Sequence, residues 1–254
     1  VQCVPAIIPS DYFNPVLYTG NGSTQSVTGV GFKTDFSWVK NRNTAGNNNN
    51  VGDIVRGVNN ILVTNATAVE YFNSTYQFNS FDTDGITVTD DAAGNYGFNG
   101  NNETYVSWNW KAGGNSNTFN IDGTGYSTAS AAGLDGGNIN PTGASINKAS
   151  GFGIYTASPT TASQSISHGL DSAPEMYIFK TTNVTRDWYV SVNVGGTWKF
   201  GTLNTTAALS TTTAYTANSN TMVIGGGGDV DEVVYAFHSV DGYSDIGSYI
   251  GTNA

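Results

Sequence analysis

Cysteine occurs once, at position 3, so no disulfide can close within this chain and its fold has to be held by packing alone. Cys3 can pair only with a cysteine of another chain. Cations are equally sparse, six Lys and three Arg against nineteen acids, for a formal net charge of −10. Phosphate backbones are bound by clustered cations that displace counterions, so nucleic acid is excluded as a partner. Charged residues make up 11% of the chain, about half the usual share, and the surface polarity has to come from Asn, Ser, Thr and Gly instead. Long hydrophobic runs are missing too. Without a window of about eighteen apolar residues, no membrane span is expected.

Helix signals are nearly absent. No stretch keeps apolar residues at i, i+3, i+4 and i+7 for three turns, and the strong helix formers Leu, Lys, Glu, Arg and Met are scarce. Alternation of period two takes their place. Trp38, Trp108, Trp110, Tyr177, Phe179, Tyr189, Tyr235 and Phe237 stand in short β-branched or aromatic runs bounded by Gly, Asn, Asp or Thr. Asp84-Gly85 and Asn99-Gly100 are tight-turn dipeptides. Many short strands with such turns predict an all-β chain of antiparallel sandwiches.

The chain also reads itself twice. Leu17-Tyr18-Thr19 returns as Ile154-Tyr155-Thr156, and Gln25-Ser26-Val27-Thr28-Gly29 as Gln164-Ser165-Ile166-Ser167-His168-Gly169. Asp35 to Lys40 matches Glu175 to Lys180, Thr64 to Ala68 matches Leu203 to Ala207, and Tyr105 to Lys111 matches Glu232 to His238. A unit of about a hundred residues is too long for a solenoid turn and right for a small domain. The expected organisation is an N-terminal arm over 1–14, a first sandwich over 15–114, a linker over 115–150 rich in Gly, Asn, Ser and Ala, and a second sandwich over 151–254.

Groups capable of chemistry do not recur with the scaffold. The four glutamates, Glu70, Glu103, Glu175 and Glu232, have no second carboxylate at a spacing that would set a nucleophile and an acid on one strand face. His168 and His238 lie outside any spaced His/Cys/Asp cluster and are expected to be satisfied structural histidines. No nucleophile elbow is present. Gly225 to Gly228 is followed by no Lys-Ser/Thr and reads as a turn rather than a phosphate cradle. Asp82-Thr83-Asp84-Gly85 and Asp229-Val230-Asp231-Glu232 offer oxygen ligands, but neither follows the EF-hand pattern. Catalytic residues, metals and cofactors are therefore not expected, and the chain is read as non-enzymatic. Six sequons, at Asn21, Asn65, Asn73, Asn102, Asn183 and Asn204, are about what chance gives in so Asn-, Ser- and Thr-rich a chain. Trp188, Tyr189 and Trp198 either fill a core or form a platform on which pyranose rings stack.

The motifs Val16 to Ser23, Phe36 to Arg42, Trp108 to Gly114 and Phe237 to Ser244 resemble an uncharacterised repeated domain of phage and virus structural proteins, notably aquatic ones, and of related environmental surface proteins. The resemblance runs from Val16 onward. It implies two tandem jelly-roll or lectin-like sandwiches in a fibre or appendage, and it brings no catalytic residue with it.

Two ends depart from that pattern. Val1 to Ile8 is apolar and has no counterpart before the second unit, and Gly247 to Asn253 looks like the opening of a further one. The start at Val1 is expected to reflect a removed leader or a fragment. The expected function is that of a structural subunit of an extracellular, cell-surface or virion filament, polymerising with itself by strand or arm exchange. Val1, Val4, Ile7, Ile8, Tyr12, Tyr249 and Ile250 are the expected interface. A lectin-like module with glycans as partners, using Trp188, Tyr189 and Trp198, is the alternative.

Overall fold

The computed structural model describes residues 7–72, 77–89, 97–114, 117–225 and 227–249. Over them the chain is all-β, with a single 3-10 turn at Pro9–Asp11 as its one helical element. The strands of the first half are β1 (Phe13–Thr19), β2 (Gln25–Val27), β3 (Phe36–Asn41), β4 (Asn49–Asp53), β5 (Asn60–Val63), β6 (Tyr71–Phe72), β7 (Gln77–Asp82), β8 (Gly85–Thr89) and β9 (Thr104–Trp110). There follow β10 (Phe119–Ile121), β11 (Thr124–Tyr126), β12 (Gly143–Asn147), β13 (Phe152–Ala157), β14 (Gln164–Ser167) and β15 (Met176–Thr181). The last are β16 (Tyr189–Val194), β17 (Thr197–Thr202), β18 (Ser210–Thr211), β19 (Thr221–Ile224) and β20 (Glu232–Phe237).

Two large sheets form the middle of the molecule, one of six strands in the order β1-β9-β3-β4-β5-β6 and one of nine in the order β11-β10-β12-β13-β20-β15-β16-β17-β18. A three-stranded sheet, β2-β8-β7, covers the outer face of the first, and β14-β19 covers that of the second. Strand side chains alternate between faces, which is how one strand serves two cores. Phe152 and Ile154 of β13 point into the seam between the large sheets, whereas Tyr155 and Ala157 point the other way into the core under β14 and β19. Val233 and Tyr235 of β20 likewise face the seam while Val234 and Ala236 face away. That double burial explains why Glu232 to Phe237 reads as an almost unbroken apolar run rather than a clean alternation.

The seam is aromatic. Phe36 packs at a tilt 4.4 Å from Tyr235 and lies 5.1 Å from Trp110 and 6.0 Å from Phe152, measured between ring centroids. A buried polar node ties the same two sheets: the Tyr235 hydroxyl donates to Asp53 Oδ2 at 2.7 Å, and Arg56 pairs with both Asp53 and Glu70. Burial alone would pull the Arg56 pKa down, but Asp53, Tyr235 and Glu70 outweigh it and hold the guanidinium charged. The Trp188 indole N–H donates to Val63 O at 2.8 Å across the seam.

Local hydrogen bonds recur between the large sheets. Asp35 N donates to Trp110 O as Glu175 N does to Phe237 O, and Lys111 N donates to Tyr12 O as His238 N does to Gly151 O. The Asn65 side-chain oxygen accepts from Asn49 N at 2.8 Å, and that of Asn204 from Trp188 N at 2.9 Å. These bonds correct one sequence match. Phe13, opposite Trp110, occupies the position that Phe152, opposite Phe237, holds in the other sheet, so β1 is displaced by two residues from its motif-based match to β13. A two-residue slip keeps every side chain on its face, which is why the apolar pattern alone does not reveal it.

Residues 115–150, expected to be a linker, instead contribute β10, β11 and β12 to one edge of the nine-stranded sheet. Phe119, Leu134, Ala144 and Ile146 are buried there, so the segment has its own apolar contribution to the core despite its Gly and Asn content. The β10–β12 pair is parallel, whereas the other strand pairings are antiparallel.

Candidate functional site

The large sheets have four outer strands, and an outer strand presents unpaired backbone N–H and C=O groups to any other chain. Among the described residues, three of the four span only two or three residues, namely β6, β11 and β18. The fourth, β1, runs for seven residues and pairs with β9 along all of them. Its sequence, Phe-Asn-Pro-Val-Leu-Tyr-Thr, contains no charge. Pro15 has no N–H to give a ladder and is tolerated on an outer strand. Val16 and Tyr18 face the first core, and the Tyr18 hydroxyl donates to Phe98 O. Leu17, on the opposite face, is 64% exposed.

Cross-strand pairing extends this surface inward. Pro15 lies opposite Trp108 and Trp108 opposite Trp38; Leu17 lies opposite Val106 and Val106 opposite Lys40. The half-buried Trp38 and Trp108 meet edge to face at 6.3 Å. Trp38 also lines a cavity of about 300 Å³ between the two large sheets, whose wall includes Trp110, Met176, Ile178, Phe237, Tyr243 and Ile246.

The expected interface residues are distributed unevenly. Val1, Val4 and Ile250 lie outside the described residues. Ile8 is 58% exposed and Tyr249 93% exposed, while Ile7 is half-buried. Tyr12 packs within its own chain, 6.1 Å from Tyr243, with Lys111 Nζ 5.6 Å from its ring centroid.

Of the two readings of Trp188, Tyr189 and Trp198, the structure has the first, with all three packed in cores. Trp188 is 1% exposed and faces the seam, whereas Tyr189, the next residue along, faces the opposite core with Trp198. Trp188, just before β16, and Tyr189, its first residue, thus lie in different cores and cannot present rings to one ligand. Tyr189 packs 5.3 Å from Phe179 and Trp198 packs 5.9 Å from Tyr177.

Among the described residues no cluster of three His, Cys, Asp or Glu is placed to hold a metal ion. Asp35 is buried, and its carboxyl pKa is pushed up to about 6, burial outweighing Lys33 and the N–H bonds from Ala112 and Gly114. Lys180 is buried with its Nζ donating to Thr181 O at 2.7 Å, and burial pulls its pKa down to about 8 against the pull of Asp187 and Glu232. His168 matches the expectation of a satisfied histidine: Nε2 bonds Asn218 O, Nδ1 accepts from Leu170 N, and burial lowers its pKa. His238 does not, because its Nε2 has no partner among the described residues.

Neither a curated protein nor a solved structure matches this chain. Residues 8–254 match the model of a domain of unknown function, DUF7483, and the chain belongs to that family.

Proposed function

We infer that this protein is a non-enzymatic structural subunit, two copies of one sandwich unit fused back to back, which polymerises outside the cell into a filament or virion appendage. The observation that carries this is β1: one long, uncharged outer strand with an exposed Leu17, where the other large-sheet edges span only two or three described residues. Proteins that stay monomeric blunt such edges with charge, brevity or a covering segment. In this scheme an extended apolar segment of a neighbouring copy, residues 1–8, adds to β1 and repeats the contact head to tail without closing. The shared strand order of the large sheets and their recurring hydrogen bonds support the fused-copy view.

Electron microscopy of the full chain tests it. Threads are expected from the wild type, and dispersed particles from a variant lacking residues 1–8 and from Leu17→Lys. Monomers of the full chain at high concentration, or threads that survive both changes, refute it. Glycan binding keeps one foothold, the half-buried Trp38–Trp108 pair, of which Trp38 lines the cavity.

A further inference from the structure

The cavity between the large sheets measures about 300 Å³, roughly twice an apolar cavity known to admit benzene. Thr64, Ser150, His238 and Ser244 interrupt its largely apolar wall, and of these Ser150 and His238 are more than nine-tenths buried and carry unmatched atoms. Ser150 Oγ and His238 Nε2 have no hydrogen-bond partner among the described residues. Buried polar atoms left unmatched are destabilising and uncommon, and two in the wall of one cavity point to a missing ligand group.

The residues are neighbours through a backbone bond, His238 N to Gly151 O at 3.0 Å. Gly151, at φ +64°, lets the imidazole close in: a Cβ there would sit 2.8 Å from His238 Cε1. The tautomer follows from the other ring nitrogen. Nδ1 lies 2.8 Å from Ser239 O, which can only accept, so Nδ1 carries the proton and Nε2 offers a lone pair. Ser150 offers an O–H.

A ligand hydroxyl satisfies both at once, donating to Nε2 while accepting from Ser150. We propose that this cavity binds a small aryl alcohol, its ring against Trp38 and Trp110 and its hydroxyl between Ser150 and His238. A carboxylate has no proton for Nε2, and a hydrocarbon leaves both atoms unmatched. One side of the cavity is bounded by Tyr243, Ser244 and Ile246, in a loop held by the Val240–Ser244 bridge and by Ile246 N donating to Ser239 Oγ at 2.9 Å. The site is independent of polymerisation through β1.

Calorimetric titration of the full chain with 2-naphthol and with naphthalene, alongside nitrogen NMR of the two histidines, tests this. The hydroxylated ligand should bind at least about tenfold more tightly and move the His238 Nε2 signal, leaving that of His168 in place. In His238→Leu and in Ser150→Ala that preference should shrink toward unity while naphthalene binding persists. Equal affinity for the two ligands, no binding of either up to its solubility, or an unmoved His238 signal overturns the proposal. Should the variants fail to fold, the wild-type comparison of the two ligands still decides.

Discussion

Asp35 makes stability depend on pH in a direction opposite to that of most surface carboxylates. Its side chain is wholly buried at the start of β3, with Oδ2 accepting from Ala112 N at 2.7 Å and Gly114 N at 3.0 Å and with Lys33 Nζ 3.8 Å from Oδ1. Burial outweighs those favourable contacts and raises the pKa from 3.8 to about 6. A folded-state pKa above the unfolded one means that the native protein binds the proton more tightly. The stabilisation from that proton is complete below about pH 4 and is lost as the pH climbs through 6. At about 1.36 kcal/mol per pH unit, the rise from 3.8 to about 6 amounts to a loss on the order of 3 kcal/mol.

Urea unfolding of the wild type and of Asp35→Asn at intervals from pH 4 to 7.5 isolates this group, because every other titration is common to both proteins. The wild type should lose on the order of 3 kcal/mol relative to the variant between pH 4 and 7. Parallel curves would show that Asp35 does not titrate in this range. A wild type that gains on the variant as the pH rises would show that the two N–H bonds and Lys33 outweigh burial.

Lys180 inverts the same logic. Its folded pKa is lowered from 10.5 to about 8, so stability should rise between pH 8 and 10.5 as the unfolded chain alone holds the proton. Lys180→Met should flatten that rise and raise stability at pH 7, by on the order of 3 kcal/mol before the lost bond to Thr181 is counted. Alkaline urea titrations of the two proteins check it. Trp188→Ala should lower stability by about 3–5 kcal/mol, since it empties a buried site and strands Val63 O. An effect below about 1 kcal/mol in urea unfolding would place Trp188 at the surface.

The strand periodicity of the aromatic runs reveals the all-β class, because Trp108, Trp110, Tyr235 and Phe237 recur at spacing two between turn residues. Cross-strand register is less legible. The match of Leu17-Tyr18-Thr19 to Ile154-Tyr155-Thr156 preserves faces, and only the pairing of Phe13 with Trp110 and Phe152 with Phe237 reveals the two-residue displacement. The segment over 115–150 reads as a linker because its apolar residues, Phe119, Leu134 and Ile146, are too widely spaced to form a local pattern; tertiary contacts gather them. The cavity is not visible in the sequence, since its wall joins residues from both halves of the chain and its two unmatched atoms stand 88 positions apart, at Ser150 and His238. Asn65 and Asn204 stand out as sequons, yet the structure uses their side chains to close turns beside β4 and β16.

Because both large sheets bury their inner faces against each other, neither half of this molecule is finished without its companion. Cleavage in the stretch between Trp110 and Phe119 and separation of the pieces would uncover Phe36, Val51, Phe152 and Tyr235 together and leave the Arg56 guanidinium without the Tyr235 hydroxyl. Heating should therefore produce a single melting event rather than two, and either fragment expressed alone should aggregate.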